Sequence, residues 1–328
     1  MDEKIRIDPT PTDELRTGIR YSNQNGHQPD GRSSSAGQRR TAGPWVRLLR
    51  PIQWTKNGVV FAGVVFARLA TEPSEVGRAL LAFIAFCMIS SAVYIFNDWQ
   101  DIDRDRHHPT KRARPLASGQ IDPAAALVVA AMLVAVGCTI GALISWWLLL
   151  VCVAYLLLMV AYTLELKNIV IIDVFVIAAG FILRAVAGAA AVSVPVSSWL
   201  LLCTFFLAIF LGFCKRRNEI RVLDSSAVLH RPSLGGYTVQ VLDQFIGFTA
   251  AATLMAYSLY TVVSIDVRNN DGMMLTIPFV AFAMYRYLFL VYGRNLGGSP
   301  ESLLLKDRQL FFSILSWGIC VLAVLAYR

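Results

Sequence analysis

The stretch ALLAFIAFCMISSAVYIFNDWQDIDRDRHHPTKRARP, residues 79–115, joins an apolar run to a dense cluster of charges. Its first 18 residues carry no charge, a length that suits a transmembrane helix. The next 19 residues hold four aspartates and five lysines or arginines. Basic residues at the end of a membrane span are explained by topology, but aspartates contribute little to orientation. The acidic residues of 97–115 therefore call for a chemical explanation.

The rest of the chain repeats the apolar half of this pattern. The 328 residues are 56% hydrophobic, against about 45–50% in soluble domains. We predict an all-α polytopic transmembrane bundle that forms one domain over 44–328. Residues 1–43 are polar and lack apolar residues for a core, so we expect a disordered tail there. Nine transmembrane helices are predicted, at 54–70, 78–97, 123–144, 146–164, 169–191, 197–214, 244–265, 273–292 and 309–327.

The basic residues predict the orientation of these spans. They cluster before the first span and after the second and sixth, whereas the loops on the other side hold almost none except Arg268. The positive-inside rule then places the N-terminus and both charged loops in the cytoplasm of a multi-pass plasma-membrane protein, with the C-terminus outside. Orientation by the positive-inside rule and binding of phosphates are competing explanations for the net charge of +8, and membrane lipid rather than nucleic acid is the expected partner. The sequence leaves a homo-oligomer open.

Three of the four aspartates share one face if the second helix continues past Phe96. Asp98, Asp101 and Asp105 are three and four residues apart, and Asp103 points away from them. Like charges at this spacing destabilise a helix unless they are neutralised, and oxygen ligands suit Mg²⁺. We therefore predict that these aspartates are catalytic and hold Mg²⁺, with Mn²⁺ able to substitute. A solvated loop with Asp–Arg pairs is the alternative.

A neutral oxygen donor and three cations flank the acidic face. Asn97 precedes Asp98 and is predicted to be a fourth metal ligand. Lys111, Arg112 and Arg114 follow within a few residues, and such side chains match phosphate oxygens. We predict that they bind substrate phosphates, although topology explains part of this charge.

The array N-D-x-x-D-x-x-x-D followed by R-P-L-A-S-G resembles the first aspartate-rich motif of the UbiA superfamily of intramembrane prenyltransferases. That resemblance implies nine transmembrane helices and two cytoplasmic motif loops. LLRPIQWTKN, SAVYIFND, DRHHPTKRARP, ILRAVAGA and LLKDR further resemble the decaprenyl-phosphate phosphoribosyltransferase branch. The branch implies transfer of 5-phosphoribose from phosphoribosyl diphosphate to a polyprenyl phosphate, with release of diphosphate. In some bacteria this step supplies lipid-linked pentose for cell-wall polysaccharide.

The second loop departs from the general family pattern. Most members of the superfamily carry D-x-x-x-D after span six, whereas this chain has FCKRRNEIRVL at 213–223. Lys215 and Glu219 share a helical face there, and Arg216 lies beside them. This basic loop disfavours a second metal site and favours direct binding of anions, in agreement with the K-R-x-x-E pattern of the branch. Lys215, Arg216 and Glu219 are therefore predicted to bind substrate.

Further candidates come from the branch-like segments. Lys56 and Asn57 belong to QWTKN, and phosphate binding by Lys56 competes with a role as an interfacial anchor. Arg184 of ILRAVAGA lies inside a span, where we expect it to face a cavity, with structural pairing, for instance to Asp173, as the alternative. Arg286 also lies inside a predicted span. Either it snorkels or bonds to a neighbouring helix, or it contacts the substrate.

Two tyrosines complete the predicted site. Tyr94 lies one turn before Asp98, and Tyr162 lies near the inner end of span four, so both are expected to reach the ribose or a phosphate. The main alternative function is prenyl transfer from a prenyl diphosphate to an aromatic or haem-like acceptor. A non-catalytic transporter is a third reading, but the charge concentrates at one interface rather than at the midplane.

Overall fold

The computed structural model describes residues 43–108, 110–223, 232–263 and 271–326, and these residues form helices without any strand. Residues 1–42 of the predicted tail, Pro109 and Arg268 lie outside the described residues. The α-helices, numbered in chain order, are α1 Pro44–Leu49, α2 Ala62–Phe66, α3 Pro73–Gln100, α4 Ile102–Arg106, α5 Pro123–Ile144, α6 Trp146–Leu164, α7 Ile172–Ala191, α8 Ser198–Leu223, α9 Val239–Val263, α10 Ile277–Gly293, α11 Pro300–Lys306 and α12 Arg308–Ala326. Short 3₁₀-helices occupy Pro51–Phe61, Lys111–Ala113, Leu166–Asn168, Pro232–Gly236 and Asp271–Thr276.

Eight helices within the described residues are long and apolar enough to cross a membrane. The predicted all-α transmembrane bundle is therefore confirmed, and the chain is an integral membrane protein. Its apolar residues face two ways: some pack in the bundle, while large side chains such as Leu143, Phe248 and Tyr285 are more than 60% exposed. Such exposure is expected where lipid replaces water around a helix.

The predicted first span differs from the structure. Residues 54–66 lie in the 3₁₀-helix Pro51–Phe61 and in α2, which follows it directly, so no single α-helix of membrane length forms there. Close backbone packing explains the difference. A Cβ on Gly188 of α7 would lie 2.0 Å from the carbonyl oxygen of Val60, and one on Gly63 would lie 2.6 Å from the carbonyl carbon of Gly188. This segment therefore lies against α7 inside the bundle, where Asn57 and Val60 are fully buried.

Consecutive long helices pack side by side, from α3 against α5 through to α8 against α9. One core cluster, which includes Phe86, Ile89 and Tyr155, joins α3, α6 and α7. A second, which includes Phe210 and Leu242, joins α7 to α8, α9 and α10. Helix α7 belongs to both clusters, so the two halves of the bundle meet along it. Because consecutive helices alternate in direction, the last turns of α3, α6 and α8 lie at one end of the bundle, with the first turn of α7.

Local capping sets where several helices begin. Asp122 accepts a hydrogen bond from the Ala125 amide at 2.9 Å, and Pro123 occupies the first position of α5, where a missing N–H costs little. Ser145 accepts from the Trp147 and Leu148 amides and starts α6 directly after α5. Helix α3 runs past Phe96 to Gln100, as predicted, and Asp101 then separates it from the single turn of α4.

Candidate active site

A cavity of about 450 Å³ opens where these helix ends meet. Eleven of the fifteen predicted site residues line it. These are Lys56, Tyr94, Asn97, Asp101, Asp105, Lys111, Arg114, Tyr162, Arg184, Lys215 and Glu219. Residues from α3, α4, α6, α7 and α8, which are far apart in the chain, therefore share one chamber.

Arg114 connects two of the predicted acidic residues. Its Nη1 atom lies 2.9 Å from Asp98 Oδ1 and 2.6 Å from Asp105 Oδ2. Arg50 approaches the same Oδ1 atom of Asp98 at 2.6 Å. Asp98, predicted to be catalytic and a metal ligand, is 2% exposed and does not line the cavity; it instead anchors two arginines that do.

Asp101 is held by a different cation. Lys167 Nζ donates to both of its carboxylate oxygens, at 2.9 and 3.1 Å, and Arg104 lies 3.8 Å away. Asp103 instead faces outward, with a side chain 90% exposed beside Arg106. The prediction that Asp103 points away from the acidic face is confirmed.

Burial changes the proton affinities of two groups in this network. Desolvation raises the pKa of the Asp105 carboxyl, although the nearby Arg114 acts in the opposite direction. Desolvation also lowers the pKa of the Lys111 ammonium, and Arg114 lowers it further, while Asp105, Glu219 and Asp101 partly compensate. Both groups therefore titrate closer to neutral pH than an ordinary aspartate or lysine.

The 3₁₀-helix Lys111–Ala113 determines which of the predicted phosphate ligands reach the cavity. In a 3₁₀-helix residues i and i+3 share a face, so Lys111 and Arg114 both reach the cavity. Arg112 lies on another face and is exposed outside the cavity. Its predicted role in substrate binding finds no support in its position.

The predicted site residues at the end of α8 also lie in two different places. Lys215 and Glu219 line the cavity one turn apart. Arg216 instead lies between helices, 1% exposed, with Nε 2.8 Å from Asp173 Oδ2 and with Nη1 bonded to Glu219. Asp173 also accepts a hydrogen bond from the Tyr237 hydroxyl at 2.9 Å. Asp173 is therefore the partner of Arg216, and its suggested pairing with Arg184 is wrong.

Arg184 lines the inner part of the cavity, as predicted. It donates to Asn57 Oδ1 at 2.7 Å, to the Tyr155 hydroxyl at 2.8 Å and to the Gly180 carbonyl at 2.9 Å. These bonds compensate an intramembrane charge. Asn57 is fully buried and orients Arg184 rather than lining the cavity. Arg286 lies apart from the site and forms a bidentate pair with Asp307, at 3.1 and 2.7 Å, which supports the helix–helix assignment.

The sequence missed several residues that line this cavity, above all Arg50, Lys167 and Asn168. Both basic residues lie at ends of predicted spans, where the positive-inside rule alone explains a positive charge. Arg50 adopts a left-handed backbone conformation, with φ 53°, before Pro51, and its guanidinium lies 5.0 Å from the Tyr94 ring centroid. The segment LLRPIQWTKN, which contains it, carried the signal that could have found it.

Asn168 lines the cavity and carries a buried acceptor. Its Oδ1 atom is buried and lacks a hydrogen-bond partner among the described residues. A buried acceptor without a partner costs about 1–3 kcal/mol, so a ligand that donates to it is favoured.

The oxygen donors at this site suit a divalent cation whose coordination shell is completed by a substrate. Asn97, Asp101 and Asp105, whose side chains carry oxygen donors, line the cavity. Within the described residues, no three His, Cys, Asp or Glu side chains are grouped closely enough to hold a metal ion themselves. Mg²⁺ usually takes one or two carboxylates and completes its shell with water and phosphate oxygens. The residues present therefore fit Mg²⁺ bound together with a phosphate-bearing substrate.

Comparisons with known proteins agree with this architecture. A model of the UbiA prenyltransferase family matches residues 58–324. The decaprenyl-phosphate phosphoribosyltransferase of Mycolicibacterium smegmatis is 32% identical over 301 residues, which cover 84% of this chain and 93% of that protein. The protein of the same name from Mycobacterium tuberculosis is 33% identical over 291 residues, covering 86% and 94%.

A solved structure supports the same fold. A UbiA homolog from Archaeoglobus fulgidus, determined with DMAPP and Mg²⁺, gives a TM-score of 0.67 at 20% identity and covers 87% of this chain and 100% of that one. At this identity the likeness concerns the fold alone. The family match over most of the chain, together with curated relatives above 30% identity, shows that this protein is a membrane enzyme of the UbiA prenyltransferase family.

Proposed function

We propose that the chain transfers 5-phosphoribose from phosphoribosyl diphosphate to a decaprenyl-type polyprenyl phosphate and releases diphosphate. The curated relatives named decaprenyl-phosphate phosphoribosyltransferase support this choice within the family. The product would be a lipid-linked pentose for cell-wall polysaccharide synthesis. The reaction breaks the bond between ribose C1 and the diphosphate oxygen and forms a bond from C1 to an oxygen of the lipid phosphate.

The charge of the cavity is the observation that carries this proposal. Eight basic side chains line it, against three acidic ones, as the structure describes them. The two substrates together bring a diphosphate, a 5-phosphate and the phosphate of the lipid. A prenyl diphosphate with a neutral acceptor brings only the diphosphate. The excess of cations, and a basic segment where most of the superfamily is acidic, therefore favour phosphoribosyl transfer.

The inner wall of the cavity suits the lipid. Val93, Met159, Ile177 and Phe181 line it together with the charged residues. An apolar wall beside a basic mouth allows a phosphate to enter the cavity while its chain stays in hydrocarbon. Arg184, held by three hydrogen bonds, provides a fixed positive charge on this inner side.

No strong protein base is needed for the attack. The second pKa of a phosphate monoester is about 6, so the attacking oxygen is already ionised at neutral pH. Catalysis then depends on positioning and on charge compensation. Lys111, Arg114 and Lys215 would bind phosphates, and the Asn168 oxygen would accept a hydrogen bond from a ribose hydroxyl. Direct displacement inverts the anomeric centre from α to β.

Asn97, Asp101 and Asp105 would hold Mg²⁺ on the diphosphate, and the ion would supply neutralisation of the charge that develops on the leaving group. Arg114 and Lys167, which contact these carboxylates in the structure, would then be available to the phosphate oxygens. Mn²⁺, which also prefers oxygen ligands, would substitute.

Donor choice tests the proposal. Purified protein in lipid nanodiscs that contain decaprenyl phosphate would be incubated with Mg²⁺ and either phosphoribosyl diphosphate labelled in its ribose or a labelled prenyl diphosphate. We expect label from phosphoribosyl diphosphate in the lipid extract, only when decaprenyl phosphate is present. Asp101→Asn serves as the inactive control. Label transferred from prenyl diphosphate to an aromatic acceptor, with none from phosphoribosyl diphosphate, would establish the alternative function.

A further inference from the structure

A second cavity, of about 380 Å³, lies at the same end of the bundle but apart from the active-site cavity. It is bounded by the last turns of α8 and α10, the loop 294–299 and α11. Within the described residues the two cavities share no lining residue. Helix α8 lies between them, because Glu219 lines the first and Asn218 lines the second.

The branch-like segment LLKDR falls at this second cavity rather than at the active site. Lys306 and Asp307 of that segment line it, and Arg294 enters from the end of α10. The proposed transfer reaction does not use these residues. Their position therefore needs a separate explanation.

Charge in the second cavity is biased toward cations. The Asp307 carboxylate accepts two hydrogen bonds from Arg286 and one, at 2.9 Å, from the Leu310 amide. These bonds hold the pKa of Asp307 below its usual value, with a further contribution from nearby Arg294. Asp307 is thus already balanced by Arg286, which does not line the cavity. Arg294 and Lys306 line the cavity together with this single carboxylate, so the lining carries a net positive charge.

Polar groups with many donors surround these two cations. Asn218 and Asn295 contribute amides and Ser299 contributes a hydroxyl, whereas the Ser302 hydroxyl donates to the Ser299 carbonyl at 2.9 Å. The loop backbone also approaches closely, since a Cβ on Gly298 would lie 2.5 Å from Asn218 Nδ2. A side chain at position 298 would therefore displace the Asn218 amide. Several N–H and O–H donors with an arginine and a lysine match the oxygens of a phosphate better than a single carboxylate.

We propose that this second cavity binds a phosphate group, separately from the catalytic cavity. Its volume is large enough for a ligand, since small-molecule sites occupy about 300–1,000 Å³. Leu290 and Leu303 form its inner wall, so the phosphate can belong either to the headgroup of an anionic lipid or to a soluble phosphate compound. Both sources present the same chemistry to Arg294 and Lys306.

Protection of an introduced cysteine tests this site without reference to catalysis. Ser302→Cys would be labelled by a membrane-impermeant maleimide in nanodiscs, with the unsubstituted chain as background. One arm uses neutral lipid with added inorganic phosphate or diphosphate. The other uses phosphatidylglycerol without free phosphate. Occupancy should slow labelling at least about threefold in one of the arms, by mass action, and the protecting arm identifies the source.

A matched pair of variants connects the protection to the cavity. In the Ser302→Cys chain, Lys306→Gln should abolish the protection, whereas Arg308→Gln should retain it. Both changes remove one positive charge from neighbouring positions, but only Lys306 lines the cavity. Ser299→Cys, at an exposed position of the same cavity, repeats the measurement if position 302 reacts poorly. Absence of protection in both arms, or protection that survives Lys306→Gln, would overturn the proposal.

Discussion

At the scale of single residues, Arg114 explains how an acidic motif remains stable in the bundle without a ligand. One of its nitrogens contacts both Asp98 and Asp105, and Lys167 performs the same function for Asp101. Breaking a buried ion pair by removing one partner costs about 3–5 kcal/mol, so these pairs constrain the site strongly. They also keep the cations proposed to bind phosphate beside the carboxylates proposed to hold the metal. In the proposed reaction, substrate binding would therefore exchange partners among charges that are already present.

The acidic residues should differ sharply in their contribution to turnover. Asp101→Asn should lower it by at least about 10²-fold, the scale of a lost electrostatic contact in the transition state. Asp103→Asn should change it little, because that side chain is exposed and outside the cavity. Initial rates with labelled phosphoribosyl diphosphate, at matched membrane expression, provide the measurement. Equal losses in the two variants would contradict the assignment, as would full activity of the parent in EDTA.

Lys111 should set the alkaline limb of the pH profile. Its lowered pKa means that the ammonium loses its proton, and its hold on phosphate, at a lower pH than an ordinary lysine. Lys111→Arg keeps the charge, so activity should persist to higher pH. Profiles of kcat/KM in the parent, Lys111→Arg and the control Lys306→Arg, whose side chain lies outside the active-site cavity, test this. An unmoved alkaline limb in Lys111→Arg would show that another group controls it.

Asn168 should affect recognition of the sugar donor. Asn168→Leu removes the buried acceptor and should raise the KM for phosphoribosyl diphosphate about tenfold, the equivalent of one hydrogen bond to a neutral group. The KM for decaprenyl phosphate should stay the same. Steady-state kinetics with each substrate varied in turn separate the two effects. A change confined to the lipid substrate would place the ribose elsewhere in the cavity.

At the scale of elements, helical spacing allowed the acidic face to be predicted, whereas tertiary contacts decided its partners. The periodicity of Asp98, Asp101 and Asp105 showed which residues belong together, because it depends only on local geometry. It did not show that Lys167, 66 residues from Asp101, would join them. Arg216 is predicted to bind substrate from its place in the basic loop, and local spacing gives no sign of its buried partner Asp173 on another helix. Long-range pairing leaves no local periodicity in a sequence.

The first predicted span shows the same limit for the fold. An apolar run predicts burial but not what surrounds it, so 54–70 resembled a lipid-exposed helix. The small residues Gly63 and Gly188 permit the backbone contact that places this segment within the bundle. The other eight spans were predicted because length and apolarity alone suffice for helices that face lipid.

The contact between α7 and the 3₁₀-helix should be intolerant of a single added methyl group. Gly188→Ala places a Cβ about 2 Å from the Val60 carbonyl oxygen, which forces the two backbones apart. Overpacking of this kind costs about 1–3 kcal/mol. Gly77→Ala in α3 meets nothing within 4 Å and is the control. Thermal unfolding in detergent, followed by size-exclusion chromatography, should show a lower Tm for Gly188→Ala only. An equal Tm for both variants would mean that this contact is not tight in solution.

At the scale of the whole molecule, the described basic residues of the site gather at one end of the bundle. Lys111, Lys167 and Lys215 come from three separate loops or helix ends and line one cavity. This arrangement agrees with the cytoplasmic side predicted for those loops and would give a water-soluble donor access from the cytosol.

Labelling of introduced cysteines checks this sidedness. Arg112→Cys, at an exposed position beside the site, should react from the cytoplasmic side. A cysteine in place of Arg268, which lies outside the described residues, should react only from the opposite side. Right-side-out and inverted membrane vesicles with an impermeant maleimide distinguish the faces, and unsubstituted chains correct for the native cysteines. Reaction of both positions from the same side would refute the orientation derived from the basic loops.

The active-site cavity combines a basic mouth with an apolar inner wall, and this has a kinetic consequence for the proposed reaction. The soluble donor would arrive by diffusion in three dimensions, whereas the lipid acceptor would arrive by diffusion within the plane of the bilayer. The relevant concentration of the lipid is then its mole fraction in the bilayer, not its amount per volume of solution. Diluting the membrane with inert phospholipid would slow turnover even when the total quantities of enzyme and both substrates stay constant. The rate would thus follow membrane composition as closely as it follows the supply of the soluble donor.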